Sequence, residues 1–388
     1  MNLITCGFMN KIYFISCYFV PMGRSESNRA FMVKYLSEEG WDIEVIAGKN
    51  YKSLILNFQE DHSLWDVIPK NIKIHRFNGL PGWLAHDLKT IFHRPNNFRE
   101  HWVKEAQQNL DLTEKGIIYA IIPPIENAVL AYRLACQYQY PLVLHFVDEV
   151  LGIDPKIIEH ADGVISVTDQ IQKNLGAHYN RNDIVVIQNG YLQETELPDK
   201  TAPGDPLRCV YAGSMTFRTR PEIFAQSYHM LMARRPSLAK KLGIDFYAPA
   251  NYYPALFLKK YLNPNVRFRG FLPISRLLET LPQYDCALAS TTGNISFTSK
   301  VYQYLNAGLP LIVSSEEPGL RSFVEERQIG LSTGRSMEAV AEKFEEFVQG
   351  PQRILNWRKR VIAIRSQFSL KKRIQEISQL LKRIPKRN

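Results

Sequence analysis

The sequence predicts an α/β chain built from two doubly wound, Rossmann-like domains of similar size. Three observations carry that expectation. Apolar runs of strand length are continuous, as strands buried on both faces require, rather than alternating. Stretches of helical periodicity separate those runs. The pattern also halts once, at TELPDKTAPGDP (195–206), which holds three prolines and few large apolar residues, and then starts again. At 388 residues and 45% hydrophobic composition the chain is long enough for two cores. The expected division is 1–200, 201–350 and a basic helical segment 351–388.

In the first half, Lys11 to Val20 reads as a buried strand and Pro21 to Ser27 as a loop. The stretch with Ala30, Val33 and Leu36 on one face reads as a helix ending at Gly40, and Trp41 to Ala47 as the next strand. Such a unit puts its first loop at the carboxyl edge of the sheet, where ligands bind. There Gly23 with Ser25 either brings backbone close to a ligand or serves only as a turn. The absence of G-x-G-x-x-G argues against a dinucleotide site. Residues 50–110, dense in aromatics and histidines, give no regular pattern; they are either packing or an acceptor-binding or membrane-facing insert. Alternation resumes with strands at Gly116–Ile122, Pro141–Val147, Gly163–Val167 and Asp183–Ile187, and helices at Glu126–Gln139 and Asp154–His160.

The second half repeats the scheme. Strands are expected at Arg208–Ala212, Ile244–Tyr247, Val266–Arg269, Cys286–Ser290 and Leu311–Ser314. Helices are expected at Arg220–Arg235, Tyr253–Leu262, Ser275–Leu281, Ser299–Ala307, Leu320–Arg327 and Met337–Val348. Ile354 to Ile384 reads as mostly helical, with Ile374, Ile377, Leu381 and Ile384 on one face and basic residues on the other.

The net charge of +10 is concentrated there: residues 351–388 carry 12 Lys or Arg against Glu376 alone. The rest of the chain is close to neutral, which argues against nucleic acid as a partner. The five cysteines are scattered and unpaired in pattern, as in a reducing compartment. No run approaches a membrane span, and the N-terminal stretch, with Lys11 midway and no small-x-small site, does not read as a signal peptide. A cytoplasmic protein is expected, in which 351–388 touches an anionic membrane surface, presents a solvated helix face packed back on the first domain, or does both.

The stretch Ser290–Ser315, STTGNISFTSKVYQYLNAGLPLIVSS, is one strand-loop-helix-strand unit. Either Thr298 or Ser299 only caps the helix and Lys300 sits in solvent, or the first turn with Lys300 holds an anion such as a phosphate. A second loop, Gly213-Ser-Met-Thr-Phe-Arg-Thr-Arg220, opens on a close-approach glycine and delivers Arg218 and Arg220 before a helix. With Lys300 these cations suffice for a diphosphate leaving group. No Asp-x-Asp pair occurs, so neither a metal nor a bound cofactor is expected; cations and a helix dipole stabilise the departing charge instead.

In the order of its parts the chain resembles a GT-B fold glycosyltransferase, most like glycosyltransferase family 4. KIYFISCYFVPMGRSESNRAFMVKYLSEEGWDIEVIAG is similar to that family's first strand-loop-helix-strand. HADGVISVTDQIQKNL followed by IVVIQNGY resembles its last N-terminal elements, CVYAGS the start of its second domain, and SKVYQYLNAGLPLIVS its nucleotide-sugar segment. The resemblance implies two domains across a cleft, with C-terminal helices returning to the first. It implies a nucleoside diphosphate sugar as co-substrate, held by Gly23, Ser25, Gly213, Ser214, Arg220, Thr298, Ser299 and Gln303. Lys300 and Arg218 would act on the diphosphate, and His145 and Asp148 on the acceptor side, where the plain alternative is a satisfied histidine within a sheet beside a turn aspartate. Gln303 and Ile295 stand where the family usually has glutamates. Implied too are retention of configuration, no metal, and a glycan or lipid-linked acceptor in cell-surface polysaccharide synthesis. A non-catalytic sugar-nucleotide-binding partner subunit and a sugar-nucleotide epimerase on the same fold are the alternatives.

Overall fold

The structure is a computed structural model that describes residues 10–21, 26–49, 60–78, 98–216, 219–249, 258–292 and 298–385. It comprises two compact units, one made of residues up to Asn189 with those from Leu370 onward, the other of Gly190–Ser369.

The first unit is built on a parallel sheet of seven strands: β1 (Lys11–Ile15), β2 (Asp42–Gly48), β3 (Lys73–Phe77), β4 (Ile117–Ile122), β5 (Leu142–Phe146), β6 (Gly163–Ser166) and β7 (Val185–Val186). Their order is β3-β2-β1-β4-β5-β6-β7. The helices are α1 (Glu26–Glu38), α2 (Phe98–Asn109), α3 (Ile125–Tyr138), α4 (Pro155–His160) and α5 (Asp169–Tyr179). Central β4, IIYAII, is buried along its whole length, which is why it reads as an unbroken apolar run. Both β3 and α2 come from the stretch without a regular pattern. β3 lies at the sheet edge, so its sequence KIHRF carries charges: His75 reaches Glu44 at 2.6 Å and Lys73 the same carboxylate at 3.7 Å. α2 places Trp102 at full burial in the core, with Val103 and Ala106 beside it. Residues 50–59 and 79–97 of the stretch read as packing or as an insert lie outside the described residues.

The second unit has a parallel sheet of six strands: β8 (Leu207–Ala212), β9 (Leu242–Tyr247), β10 (Val266–Gly270), β11 (Cys286–Thr291), β12 (Leu311–Ser315) and β13 (Gly330–Thr333). Around it stand α6 (Glu222–Arg234), α7 (Pro236–Ala239), α8 (Ile274–Thr280), α9 (Ser299–Asn306), α10 (Pro318–Arg327), α11 (Met337–Gln349) and α12 (Gln352–Arg365). The order β10-β9-β8-β11-β12-β13 reverses direction between β8 and β11. Outside the carboxyl ends of that pair is where open α/β sheets bind ligands.

The basic C-terminal segment is divided. α12 stays with the second unit, burying Ile354, Trp357 and Val361, while α13 (Leu370–Arg383) belongs to the first. α13 lays Leu370, Ile374, Ile377 and Leu381 against the first unit, and Trp41 Nε1 donates to Ser378 Oγ at 2.9 Å. Among the described residues no helix is long and apolar enough to cross a membrane.

Candidate active site

The loop after β8 turns at once. Gly213 takes a φ of +142°, and the Ser214 carbonyl accepts from Tyr211 Oη at 2.9 Å and from Thr219 Oγ1 at 3.1 Å. These bonds tie Ser214 to Tyr211 and Thr219 at the strand end. Arg218 lies outside the described residues. Arg220 has a φ of +38°, and its Nε donates to Glu222 Oε1 at 3.0 Å while the side chain stays 57% exposed. Beside it, at the carboxyl ends of β11 and β12, Thr291 and Ser315 join hydroxyls at 2.7 Å, and Ser290 Oγ donates to the Thr219 carbonyl.

α9 opens at Thr298, whose extended backbone caps the helix without any side-chain bond. Its Oγ1 is buried and has no partner among the described residues. Ser299 is exposed and Gln303 almost fully buried, its Oε1 accepting from the Leu192 N–H at 3.4 Å. The helix is tied down through its last turn. Tyr304 Oη bonds both the N–H and the carbonyl of Ala212, at 2.8 and 3.1 Å, which fixes α9 to the end of β8. Just beyond it Arg365 donates to the Asn306 carbonyl at 3.0 Å and Arg358 to that of Gly308 at 3.3 Å, cations where a helix dipole favours them. Two of the basic residues of 351–388 are thus used inside the second unit.

Lys300, in the first turn of α9, is the centre of the arrangement. Its Nζ donates to Tyr211 Oη at 2.6 Å and lies 4.3 Å from the centroid of that ring. A Cβ on Gly213 would come within 3.0 Å of Lys300 Cε and 3.1 Å of Nζ, so the glycine makes the room. Burial, with no carboxylate beside it, pushes the ammonium down to a pKa of about 7. The site holds its cation in a position where an incoming anion would restore the charged form.

A third cation comes from the loop after β13. Arg335 donates to the carbonyls of Thr291, at 3.4 Å, and Arg220, at 3.5 Å, which brings it to the same edge. Burial lowers its pKa and the Arg220 charge lowers it further, against the pull of Glu316 and Glu222. Among the described residues it has no carboxylate within ion-pair distance.

Gly213, Ser214, Arg220, Thr298, Ser299 and Lys300 therefore gather at one strand edge of the second unit. Gly23, Ser25 and Ile295 lie outside the described residues. His145 and Asp148 belong to the first unit. His145 sits within β5, 3% exposed, with Nδ1 2.5 Å from Tyr119 Oη, Nε2 without a partner among the described residues, and burial driving its pKa down to about 3. Its imidazole is neutral at ordinary pH. Asp148 is exposed after the strand, its Oδ1 accepting from the Glu149 N–H at 2.9 Å. Sequence reasoning missed Tyr211 and Arg335. Tyr211 reads only as an alternate strand position, and Arg335 follows a four-residue strand that the sequence does not announce.

No family model and no curated protein matches the chain. Solved structures do. Anabaena HepE, described in complex with UDP and glucose, superposes with a TM-score of 0.65 at 16% identity over 96% of this chain and 99% of its own. The pneumococcal O-GlcNAc transferase GtfA, in complex with UDP and GlcNAc, gives 0.69 at 12% identity over 97% and 99%. Sucrose-phosphate synthase from Thermosynechococcus elongatus gives 0.68 at 16% identity over 96% and 98%.

The fold is GT-B.

In this GT-B chain the reversal between β8 and β11 puts Lys300, Arg220 and Arg335 outside the carboxyl ends of the sheet. That placement agrees with the general position of ligands in such sheets.

Proposed function

We propose that the chain is a nucleotide-sugar-dependent glycosyltransferase. The observation that carries the reading is Lys300, partly buried against Tyr211 and Gly213 with no carboxylate partner, at the ligand-binding edge of a GT-B unit that also holds Arg220 and Arg335. Three cations around a helix start match a diphosphate in charge and geometry. The UDP in HepE and GtfA supports the choice of a nucleoside diphosphate sugar as donor.

In the mechanism that follows, Lys300, Arg220 and Arg335 stabilise the negative charge that grows on the diphosphate as the glycosidic bond breaks. Transfer proceeds with retention and without a metal, the departing phosphate oxygen taking the acceptor proton while the protein positions both partners. The acceptor is a glycan or lipid-linked saccharide of cell-surface polysaccharide synthesis. The exposed basic residues of α13, Lys371, Lys372, Lys382 and Arg383, would rest on the inner face of an anionic membrane, since its apolar face is already used.

A thermal-shift panel of UDP, GDP, ADP and CDP, with and without sugar, tests the reading. A stabilising shift with one nucleotide, lost in Lys300→Ala, is the expected result; no shift with any of them ends the proposal. The Gln303 bond to Leu192 favours a second reading, a binding subunit without transferase activity. Donor binding with no turnover across an acceptor panel would select it, and conversion of donor without acceptor would select an epimerase.

A further inference from the structure

Three arginines share a single carboxylate on the face of the second sheet opposite Tyr211. Asp245 is 1% exposed in β9, in register with Val210 of β8 and Arg267 of β10. Arg208 Nη2 reaches its Oδ2 at 2.6 Å. Arg267 binds it in bidentate fashion, Nε to Oδ1 at 2.8 Å and Nη2 to Oδ2 at 3.2 Å, and Arg269 Nε reaches Oδ1 at 3.2 Å. Tyr284 Oη also donates to Oδ2, at 2.7 Å.

A buried carboxylate requires compensation, and one bidentate arginine with a tyrosine hydroxyl supplies it. The other two cations exceed that need. The nearby Asp285 does not absorb them, because it pairs with Lys200 at 2.7 Å. Two positive charges thus remain beyond what one carboxylate balances, with all three guanidinium heads bonded to it. Each arginine keeps 38–39% of its side chain exposed, leaving N–H groups for another acceptor. Arg208 is further braced over the Tyr284 ring, with Cζ 4.7 Å from its centroid. Beside Arg208 its β9 partner Gly243 is buried and adds no side chain of its own; a Cβ there would meet the carbonyls of Asn265 and Leu207, at 3.7 and 3.9 Å.

We propose that Arg208, Arg267 and Arg269 form a second anion site, taking a phosphate-type oxyanion on a different face of β8 from the one Tyr211 occupies with Lys300. Fixed guanidinium forks suit the planar pairs of oxygens that a phosphate presents. The phosphate group is carried either by a soluble ester or by a lipid headgroup. The inference does not depend on the transferase reading.

The test uses the full chain with Lys300→Ala, to silence the strand-edge site, and calorimetric titration with inorganic pyrophosphate at low salt. Saturable binding is expected, weakened at least tenfold by Arg267→Gln with Arg269→Gln. Arg269→Gln alone, which removes only one bond from Asp245, serves if the double variant does not fold, and is expected to weaken binding about threefold. A parallel arm measures flotation with phosphatidylglycerol vesicles against phosphatidylcholine vesicles. Loss of flotation in the arginine variants together with weaker pyrophosphate binding supports a headgroup ligand; unchanged flotation with weaker pyrophosphate binding supports a soluble ester. No pyrophosphate binding in Lys300→Ala, or affinities within twofold in the folded arginine variants, overturns the proposal.

Discussion

The ammonium of Lys300 donates to the hydroxyl of Tyr211 at 2.6 Å and sits above the same ring. That contact fixes a lysine in a partly buried position without giving it a counter-charge. Its folded-state pKa of about 7 lies below the ordinary lysine value of 10.5, so the folded protein binds fewer protons than the unfolded chain between those limits. Stability from this group therefore rises with pH across that window. Donor binding runs the other way. Below pH 7 the ammonium is charged and ready, and above it each bound diphosphate must bring a proton with it. The dissociation constant of the nucleoside diphosphate should rise up to about tenfold per pH unit between pH 7 and 9. Titration calorimetry in buffers of different ionisation enthalpy should show proton uptake, and Lys300→Arg, always charged, should flatten the profile.

Gly213 controls the same lysine sterically. Its φ of +142° is strained for any residue with a side chain, and the added methyl would press on Lys300 Cε at 3.0 Å. Gly213→Ala should cost on the order of 1–2 kcal/mol of stability from the backbone alone. It should also weaken donor binding by more than that loss explains, because the ammonium must move. Chemical denaturation and nucleotide titration on one preparation separate the two effects.

The legible parts of this chain are those where burial is uniform. Ile117–Ile122 and Cys286–Thr291 lie in the middle of their sheets, so every side chain is apolar or small and the run declares itself. β3 and β13 do not, because an edge strand answers to solvent: Lys73 and His75 alternate with apolar residues, and GLST is too short and polar to stand out. That failure hid Arg335, since its loop could be assigned to the ligand edge only once β13 was seen. Lys300 was legible from its place at a helix start, but its buried setting was not, because it depends on Tyr211 from a strand 89 residues away. The basic tail shows the same limit. Charge density marks an exposed surface, yet Arg358 is 4% exposed and bonded to Gly308.

Arg335 stands beside Arg220 with no carboxylate of its own among the described residues, so a bound anion relieves a repulsion already present. Arg335→Gln should weaken nucleoside diphosphate binding by on the order of 2 kcal/mol, about thirtyfold in Kd. The corresponding nucleoside, lacking phosphates, should bind the variant and the parent alike. Because removing one of two like charges eases the empty site, the variant should be at least as stable as the parent in thermal denaturation without ligand. Equal loss for nucleoside and diphosphate would show that Arg335 acts only by holding the loop.

His145 provides the last prediction, because its position inside β5 makes two roles distinguishable. Its pKa of about 3 lies well below the ordinary value of 6.5, the result of burial beside Tyr119. Here the unfolded chain binds the extra proton between those limits, so stability is undiminished above pH 6.5 and falls as pH drops toward 3. At pH 5 the difference is about 2 kcal/mol, from 1.4 kcal/mol per pH unit. His145→Phe, which keeps an aromatic ring in the sheet, should flatten the acid limb of the stability curve measured by denaturant unfolding. An imidazole with a pKa of about 3 does not change its protonation near pH 7, so transfer rates should show no ionisation there that disappears in His145→Phe. A kinetic pKa between 6 and 7 that vanished in this variant would place His145 among the groups that exchange protons with substrate.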